Sequence, residues 1–319
     1  MKVYFGTDPE FVILNKAGKP CPAHLWFPSK DDKLQVPIKE RGYGKLFRDG
    51  FALEINVPPA YCRSVLSDSM KVMLKAAQKK LPVGYTLATM PAVRINLSSL
   101  RKAPYDVAQF GCDPSLNAYT GEEGSIDLDG MKHPYRYTGG HLHFSANPMP
   151  TWAKKFENVC LFIRMMDLHV GVPLAMIFND KGNVLRRRYY GKAGEFRLQS
   201  YADKSAGIEW RVPSSQIWNN EAVTMMALGI GRELFVNFER HTESYKKYLA
   251  SNEAEVRSII NEGSKPSFTS IFNGYYAPAT LKVAVTEKAF HVFKLGKPVP
   301  KNHLCDFPGW AGWRQKKGV

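Results

Sequence analysis

Two histidines stand on either side of a single leucine in the segment Tyr-Thr-Gly-Gly-His-Leu-His-Phe-Ser-Ala at residues 137–146. Side chains two residues apart in an extended strand point to the same face, so His141 and His143 would stand together while Leu142 points into the core. A lone His-x-His pair is more often packed or solvated than bound to a metal. The pair therefore has to be interpreted together with other polar strands.

The same pattern of two polar residues around one spacer recurs in further strand candidates. The five stretches are Asp8-Pro9-Glu10, Glu54-Ile55-Asn56, His141-Leu142-His143, Glu195-Phe196-Arg197 and Glu209-Trp210-Arg211. A single Glu-x-Arg strand is usually a cross-strand ion pair. Five such strands on one face would bury many charges, which is costly without a cation.

The residue types of this face indicate the class of ligand. Carboxylates and imidazoles favour a hard divalent cation, and neighbouring arginines favour phosphate. Mg²⁺ or Mn²⁺ is favoured over zinc because most candidates are carboxylates and no thiolate joins them. The five cysteines are scattered without Cys-x-x-Cys spacing, which predicts neither a disulfide framework nor a thiolate zinc site and favours a reducing cytoplasm.

The elements that must position these residues predict an α+β protein. Strand candidates lie at 2–14, 50–57, 84–89, 92–97, 139–146, 194–199 and 206–213, and helix candidates at 64–81, 151–169, 219–241, 253–262 and 285–293. Because the helices do not alternate regularly with the strands, we expect a mainly antiparallel sheet with helices on one face. The absence of a linker predicts one domain over residues 1–319, in which 294–319 form an irregular C-terminal extension. No stretch approaches the roughly 20 apolar residues of a membrane span, so we expect no membrane insertion or secretion.

The charge balance is strongly basic. The chain has 44 Lys+Arg against 29 Asp+Glu, a formal net charge of +15. Such an excess attracts polyanions or anionic substrates, although a generally basic surface gives the same count. A nucleic-acid-binding protein with a structural carboxylate cluster is therefore one alternative function.

The motifs, taken in order, resemble a known enzyme superfamily. "GTDPEFVIL" is similar to the acid-Pro-Glu-Phe strand of glutamine synthetases, "GGHLHF" to their Gly-x-x-His-x-His strand, and "GIEWRVPSS" to their Ile-Glu-x-Arg strand. The set "DPEF", "RDG", "GCDP", "GGHLHF", "RRRYYGKAGEFR" and "GIEWR", over residues 6–215, most resembles the phage-type carboxylate-amine ligases, or amidoligases, of the glutamine synthetase and glutamate-cysteine ligase superfamily.

This resemblance implies a curved antiparallel sheet, with helices packed on its convex face and with ATP and two or more divalent cations, Mg²⁺ or Mn²⁺, on its concave face. It implies a ligase in which a substrate carboxylate takes the γ-phosphoryl group and an amine substrate then displaces phosphate from the acyl phosphate. A guanidino-kinase-like phosphotransferase on the same fold is a second alternative. The basic charge leaves open a nucleic acid or another polyanionic acceptor. The small N-terminal domain of the synthetases has no counterpart before Gly6, so a monomer or dimer in the cytoplasm, of the host cell if the protein is phage-encoded, is expected.

The resemblance also assigns roles by position. The implied metal ligands are Asp8, Glu10, Glu54, His141 and Glu209. The implied catalytic arginines are Arg197 and Arg211, which with Arg187 or Arg188 would contact phosphate or the acyl phosphate oxygens. His143 would lie near the phosphates, and Gly140 would let the backbone approach the nucleotide, although a bulge or bend would also explain the glycine pair. Asp49 would orient a ligand or the amine, or is an ordinary turn residue. A loop with Cys112, Asp113, Asn117 and Tyr119 would line the acceptor pocket or serve a structural role.

Two departures from the synthetases qualify these assignments. Asp8 replaces their usual glutamate, which shortens the reach of this ligand by one methylene. The arginine spacing between 186 and 197 also differs, so the resemblance does not decide which arginine meets which phosphate.

Overall fold

The structure is a computed structural model that describes residues 1–110, 114–124, 128–200 and 206–263, except for the side chains of residues 244 and 248–251. The strands in this part of the chain are β1 (Lys2–Thr7), β2 (Glu10–Leu14), β3 (Pro20–Cys21), β4 (Leu34–Ile38), β5 (Gly42–Asp49), β6 (Ala52–Asn56), β7 (Thr86–Ala88), β8 (Ala92–Arg94), β9 (Ser115–Asn117), β10 (Glu123–Gly124), β11 (Tyr135–Tyr137), β12 (Leu142–Asn147), β13 (Glu195–Ser200) and β14 (Ala206–Trp210). The helices are α1 (Arg63–Lys80), α2 (Tyr105–Ala108), α3 (Phe156–Met166), α4 (Val172–Ile177), α5 (Lys181–Arg187), α6 (Glu221–Val236) and α7 (Phe238–Glu262).

The described strands form two six-stranded sheets and a two-stranded sheet of β8 and β11, and this confirms the α+β class. The first sheet has the order β1-β12-β14-β13-β9-β10, and the second has the order β3-β2-β6-β5-β4 with β7 added beside β2. The strand pairs described here are antiparallel. The predicted strand 2–14 is divided between both sheets, because the chain passes from β1 to β2 at Asp8-Pro9 and proline has no N–H for a central ladder.

The alternation predicted around the two histidines is present in β12. Leu142 and Phe144 are fully buried, and Phe144 packs at a ring distance of 5.7 Å from Phe162 of α3 and 6.5 Å from Phe235 of α6. His143 lies between them in sequence and points to the opposite face of the sheet. Helix packing on one face of the first sheet thus leaves its other face to the polar residues.

A continuous helical segment, Phe156–Ile177, passes beneath this sheet. It consists of α3, a π-helical turn at Asp167–Gly171 and α4. The segment has the length and composition of a membrane span, but 83% of its apolar window is buried inside the protein. It is therefore a core helix of the described fold.

The helix boundaries near the end of the described chain differ from those predicted. The candidates 219–241 and 253–262 become α6 and the longer α7, because the polar residues between them continue the helix to Glu262. α7 ends where Gly263 adopts a left-handed φ of 67°, a conformation that glycine favours at a helix C-terminus. The predicted helix 285–293 and the extension 294–319 lie outside the described residues, so the predicted extent of the single domain stays a prediction.

Candidate active site

The first sheet brings three of the predicted residues into one row. Glu209 of β14 is the register partner of His143 on β12 and of Arg197 on β13. Side chains of directly opposed residues stand on the same face, so all three lie side by side. Glu209 is 1% exposed, its Oε2 lies 3.7 Å from Arg197 Nη1, and the amide of Gln199 donates to the same oxygen.

Asp8 joins the two histidines from the crossing between the sheets. Its Oδ1 lies 3.0 Å from His141 Nδ1 and 3.1 Å from His143 Nε2. Burial alone would raise the pKa of Asp8, but the neighbouring imidazoles hold it well below its usual range. Burial would lower the pKa of His143, but Asp8 and Glu209 raise it, whereas burial prevails at His141 and lowers its pKa.

The second sheet places two glutamates directly opposite each other. Glu10 of β2 is the register partner of Glu54 of β6, an arrangement that is destabilising when both are charged. Burial, reinforced by Asp49, raises the pKa of Glu10 to about 8. Burial, reinforced by Asp8 and Asp49, raises the pKa of Glu54 well above its usual value. These carboxyl groups are in surroundings that favour their neutral forms unless a cation binds.

Both sets of acids open onto adjoining cavities. A cavity of about 150 Å³ is lined by Asp8, Glu10, Lys30, Lys33, Phe47, Asp49, Glu54, His141, Arg197, Glu209 and Arg211. A larger cavity of about 620 Å³ is also lined by Asp8, together with His143, Tyr4 and Pro59 among other residues. Asp8 therefore stands between the two cavities.

The donor set fits a divalent cation. One oxygen each of Asp8 and Glu209 and one nitrogen of His141 lie within 4.8 Å of one another. Glu209 Oε1 is buried and receives no hydrogen bond of acceptable geometry from the described residues, although His141 Nδ1 lies at 3.3 Å and Arg211 Nε at 3.1 Å. A buried oxygen without a hydrogen bond, beside another carboxylate and an imidazole, is suited to a hard metal ion.

Arg211 is held firmly against this cluster. Its side chain is 3% exposed, and Nη1 donates to Ser115 Oγ at 2.5 Å. Nη2 donates to the Tyr190 hydroxyl at 3.3 Å. The contacts of this side chain, from Nε to both terminal nitrogens, use the planar, branched shape of a guanidinium.

Comparison with protein families gives a match that covers the middle and later part of the chain. Residues 124–276 match the model of the phage phiEco32-like COOH.NH2 ligase-type 2 family. The match confirms the resemblance to the carboxylate-amine ligases that the motifs predicted. It includes the row of His143, Arg197 and Glu209, whereas Asp8 and Glu10 lie before it.

One solved structure gives a further comparison. A bifunctional glutathione synthetase from Pasteurella multocida is 14% identical, with a TM-score of 0.49, over 92% of this chain and 46% of that chain. The chain thus spans about half the length of that protein. Comparison with curated proteins found no match.

The arginine segment of the ligase motif is placed differently from the prediction. Residues up to Arg187 belong to α5, so consecutive side chains point in different directions, and neither Arg187 nor Arg188 lines the two cavities. Arg187 is buried beside Leu174 and Phe178, and burial lowers its pKa to about 9. Arg188 is exposed. Neither residue is placed to contact a phosphate in these cavities.

Gly140 is packed closely against the segment that follows β14. A Cβ at this position would collide with the Ser214 carbonyl and lie 2.8 Å from Ile217 Cγ2. The missing side chain therefore allows close packing against Ser214 and Ile217.

The predicted acceptor loop is only partly described. Cys112 and Asp113 lie outside the described residues. Asn117 donates to the Ala193 carbonyl at 3.0 Å, and Tyr119 lines a separate cavity of about 720 Å³ next to α3. These two residues are not brought to the acid cluster, whereas Asp49 lines its smaller cavity.

The sequence interpretation missed three residues of the site. Tyr190 lies within the motif "RRRYYGKAGEFR", so the motif could have singled it out. Lys30 and Lys33 line the smaller cavity from the segment before β4, and Lys33 Nζ rests 4.3 Å from the centre of the Phe47 ring. Neither lysine belongs to a motif, so only the fold reveals their position.

Proposed function

We propose that the protein is an ATP- and Mg²⁺-dependent ligase that joins a carboxylate to an amine through an acyl phosphate. The observation that carries this proposal is the convergence of acids from two sheets, together with His141, Arg197 and Arg211, on one cavity. The family match supports a ligase, and the residue types agree with phosphoryl transfer, which needs mainly positioning and charge neutralisation.

The two cavities suggest how substrates are divided. The larger cavity has a volume in the range of small-molecule sites and would take ATP, with its phosphates directed toward His143 and Asp8. The smaller cavity would take the reacting carboxylate near Arg197 and Arg211. Mg²⁺ or Mn²⁺, when bound, would neutralise phosphate oxygens. The residues proposed to hold the cations are Asp8, His141 and Glu209, with Glu10 and Glu54 beside them.

The reaction then has two steps. A carboxylate oxygen of the substrate bonds to the γ-phosphorus while the bond from that phosphorus to ADP breaks. The amine nitrogen next bonds to the acyl carbon while the carbon–oxygen bond to phosphate breaks, and the nitrogen loses a proton. Arg197 and Arg211 would hold the negative oxygens in place, and Asp49 would face the amine.

The proposal extends to the type of fold, the oligomeric state and the cellular location. We infer a glutamine-synthetase-like arrangement in which the polar face of the first sheet is the catalytic face. A monomer or dimer in the cytoplasm of an infected host would agree with the description of the matched family as phage-like.

The experiment that tests this function traps the acyl phosphate. Purified protein is incubated with Mg²⁺, ATP, hydroxylamine and mixtures of carboxylates, with amines omitted, and hydroxamate and ADP are measured. We expect both to form with wild type and neither with Glu209→Gln. ADP formation with a guanidino substrate but no hydroxamate would indicate the guanidino-kinase alternative instead. No ATP turnover with any mixture of amino acids, polyamines and carboxylates would refute the ligase.

A further inference from the structure

Tyr190 lies where the two sets of acids meet. Its hydroxyl contacts His141 Nε2 and lies 3.3 Å from Glu10 Oε1. The same hydroxyl accepts a hydrogen bond from Arg211 Nη2 at 3.3 Å. The residue is 2% exposed. One buried hydroxyl therefore touches a candidate cation ligand from each sheet and a guanidinium.

A cation bound to His141 would define the tautomer of its ring, because the cation takes the lone pair of one ring nitrogen. The imidazole presents Nδ1 to Asp8 and Glu209, so a cation held by these three residues would take the Nδ1 lone pair. With the cation on Nδ1, the ring proton would reside on Nε2 and Nε2 would donate to the tyrosine oxygen. Arg211 can only donate, so the tyrosine proton is directed to Glu10.

Gly139 leaves the space in which the Tyr190 hydroxyl contacts the His141 ring. A Cβ at Gly139 would collide with His141 Nε2 and lie 2.8 Å from the Tyr190 hydroxyl. The backbone N–H of Gly139 also donates to Glu10 Oε2 at 2.7 Å. Gly139 thus leaves room for the contact between Tyr190 and His141 and binds Glu10, the carboxyl group that the same hydroxyl contacts.

We propose that Tyr190 is a positioning residue that fixes the Nε2-protonated tautomer of His141 and so directs Nδ1 to a divalent cation. The inference rests on the proposed cation site. Groups that orient a metal-binding histidine typically change metal affinity by about 10-fold to 100-fold when removed. A tyrosine with a merely structural role would not change the tautomer of His141.

The chain offers matched controls. The Tyr137 hydroxyl lies 2.8 Å from His133 Nε2, and Tyr137 is 7% exposed, so Tyr137→Phe removes the same kind of contact outside the acid cluster. Gly124→Ala is the control for Gly139→Ala, because a Cβ at Gly124 would meet nothing within 4 Å.

Mn²⁺ affinity is measured by titration followed by electron paramagnetic resonance, and the tautomer of His141 is measured from ¹⁵N spectra of the histidine rings in the presence of Mg²⁺. Tyr190→Phe is expected to bind Mn²⁺ about 10-fold to 100-fold more weakly than wild type and to lose the Nε2-protonated signal of His141, whereas Tyr137→Phe should retain both properties. Gly139→Ala should weaken Mn²⁺ binding, whereas Gly124→Ala should not, and this glycine pair carries the test if Tyr190→Phe does not fold.

The outcomes separate this inference from the proposed function. Wild-type affinity and an unchanged tautomer in a folded Tyr190→Phe would overturn the role of Tyr190 and leave the ligase proposal standing. A wild-type protein that binds no Mn²⁺ would instead overturn the cation site and, with it, this inference.

Discussion

At the scale of single residues, Glu10 and Glu54 differ most from ordinary surface acids. They oppose each other across two strands, and their surroundings raise the pKa of both. A group whose pKa is higher in the folded than in the unfolded protein retains a proton on folding, and its contribution to stability falls as pH rises between the two values. The unfolded value for Glu is about 4.3, and the folded pKa of Glu10 is about 8.

Glu10→Gln should therefore change how stability depends on pH. In metal-free protein, the free energy of unfolding of the variant minus that of wild type should increase from about pH 5 to about pH 8, by at most about 1.4 kcal/mol per pH unit. Urea unfolding with a chelator measures this difference, and Mg²⁺ should reduce it by stabilising wild type. The exposed acid replaced in Glu123→Gln serves as control. A difference that stays constant or decreases with pH would contradict the account.

Substitution by lysine should have different effects at Arg211 and at Arg197. Arg211→Lys should lower the free energy of unfolding by about 2 kcal/mol and reduce kcat, because lysine leaves Ser115 and Tyr190 without their buried donor. Arg197 is 26% exposed with a longer contact to Glu209, so Arg197→Lys should reduce kcat with a stability change within about 0.5 kcal/mol. Chemical unfolding and steady-state kinetics of both variants test this contrast. Equal stability losses would contradict it.

At the scale of elements, the sequence predicted the strands whose polar and apolar residues alternate. His143, Glu209 and Arg197 were predictable as neighbours because their spacers are buried, and a strand period of two fixes their face. The division into two sheets was not predicted, since the effect of Pro9 depends on which strand pairs with which. Arg187 was misplaced because its segment is helical, and Lys33 was missed because its position depends on long-range packing against Phe47.

The π-helical turn between α3 and α4 supports β14 and the start of β13 from below. The Asp167 carboxylate of this turn accepts hydrogen bonds from Trp210 Nε1 at 2.8 Å and from the Gly194 backbone N–H at 2.6 Å. Asp167→Asn should lower the free energy of unfolding by about 2 kcal/mol, because its amide group can satisfy only one of these buried donors. The loss should be smaller in a Trp210→Phe background, where one donor is already absent. Equal losses in both backgrounds, measured by urea unfolding, would contradict the contact.

At the scale of the whole molecule, the net charge of +15 contrasts with an acidic cluster at the centre of the proposed site. The nucleic-acid-binding hypothesis stays a prediction of that charge. If the basic surface binds DNA independently of the acids, affinity should fall steeply with salt and should be the same in Glu10→Gln and Glu209→Gln as in wild type. Fluorescence anisotropy with a labelled oligonucleotide measures this. Loss of DNA binding in either variant would show that the acidic residues take part in DNA binding and would contradict this hypothesis.

The central claim is that acids carried by two different sheets act on one ligand. Calorimetric titration of Mn²⁺ with a nonhydrolysable ATP analogue tests it most directly in wild type, Glu54→Gln and Glu209→Gln, with Glu123→Gln as control. The account predicts saturable binding by wild type and the control, and affinity at least about tenfold weaker in both Glu54→Gln and Glu209→Gln. Wild-type affinity in either of these two variants would contradict it.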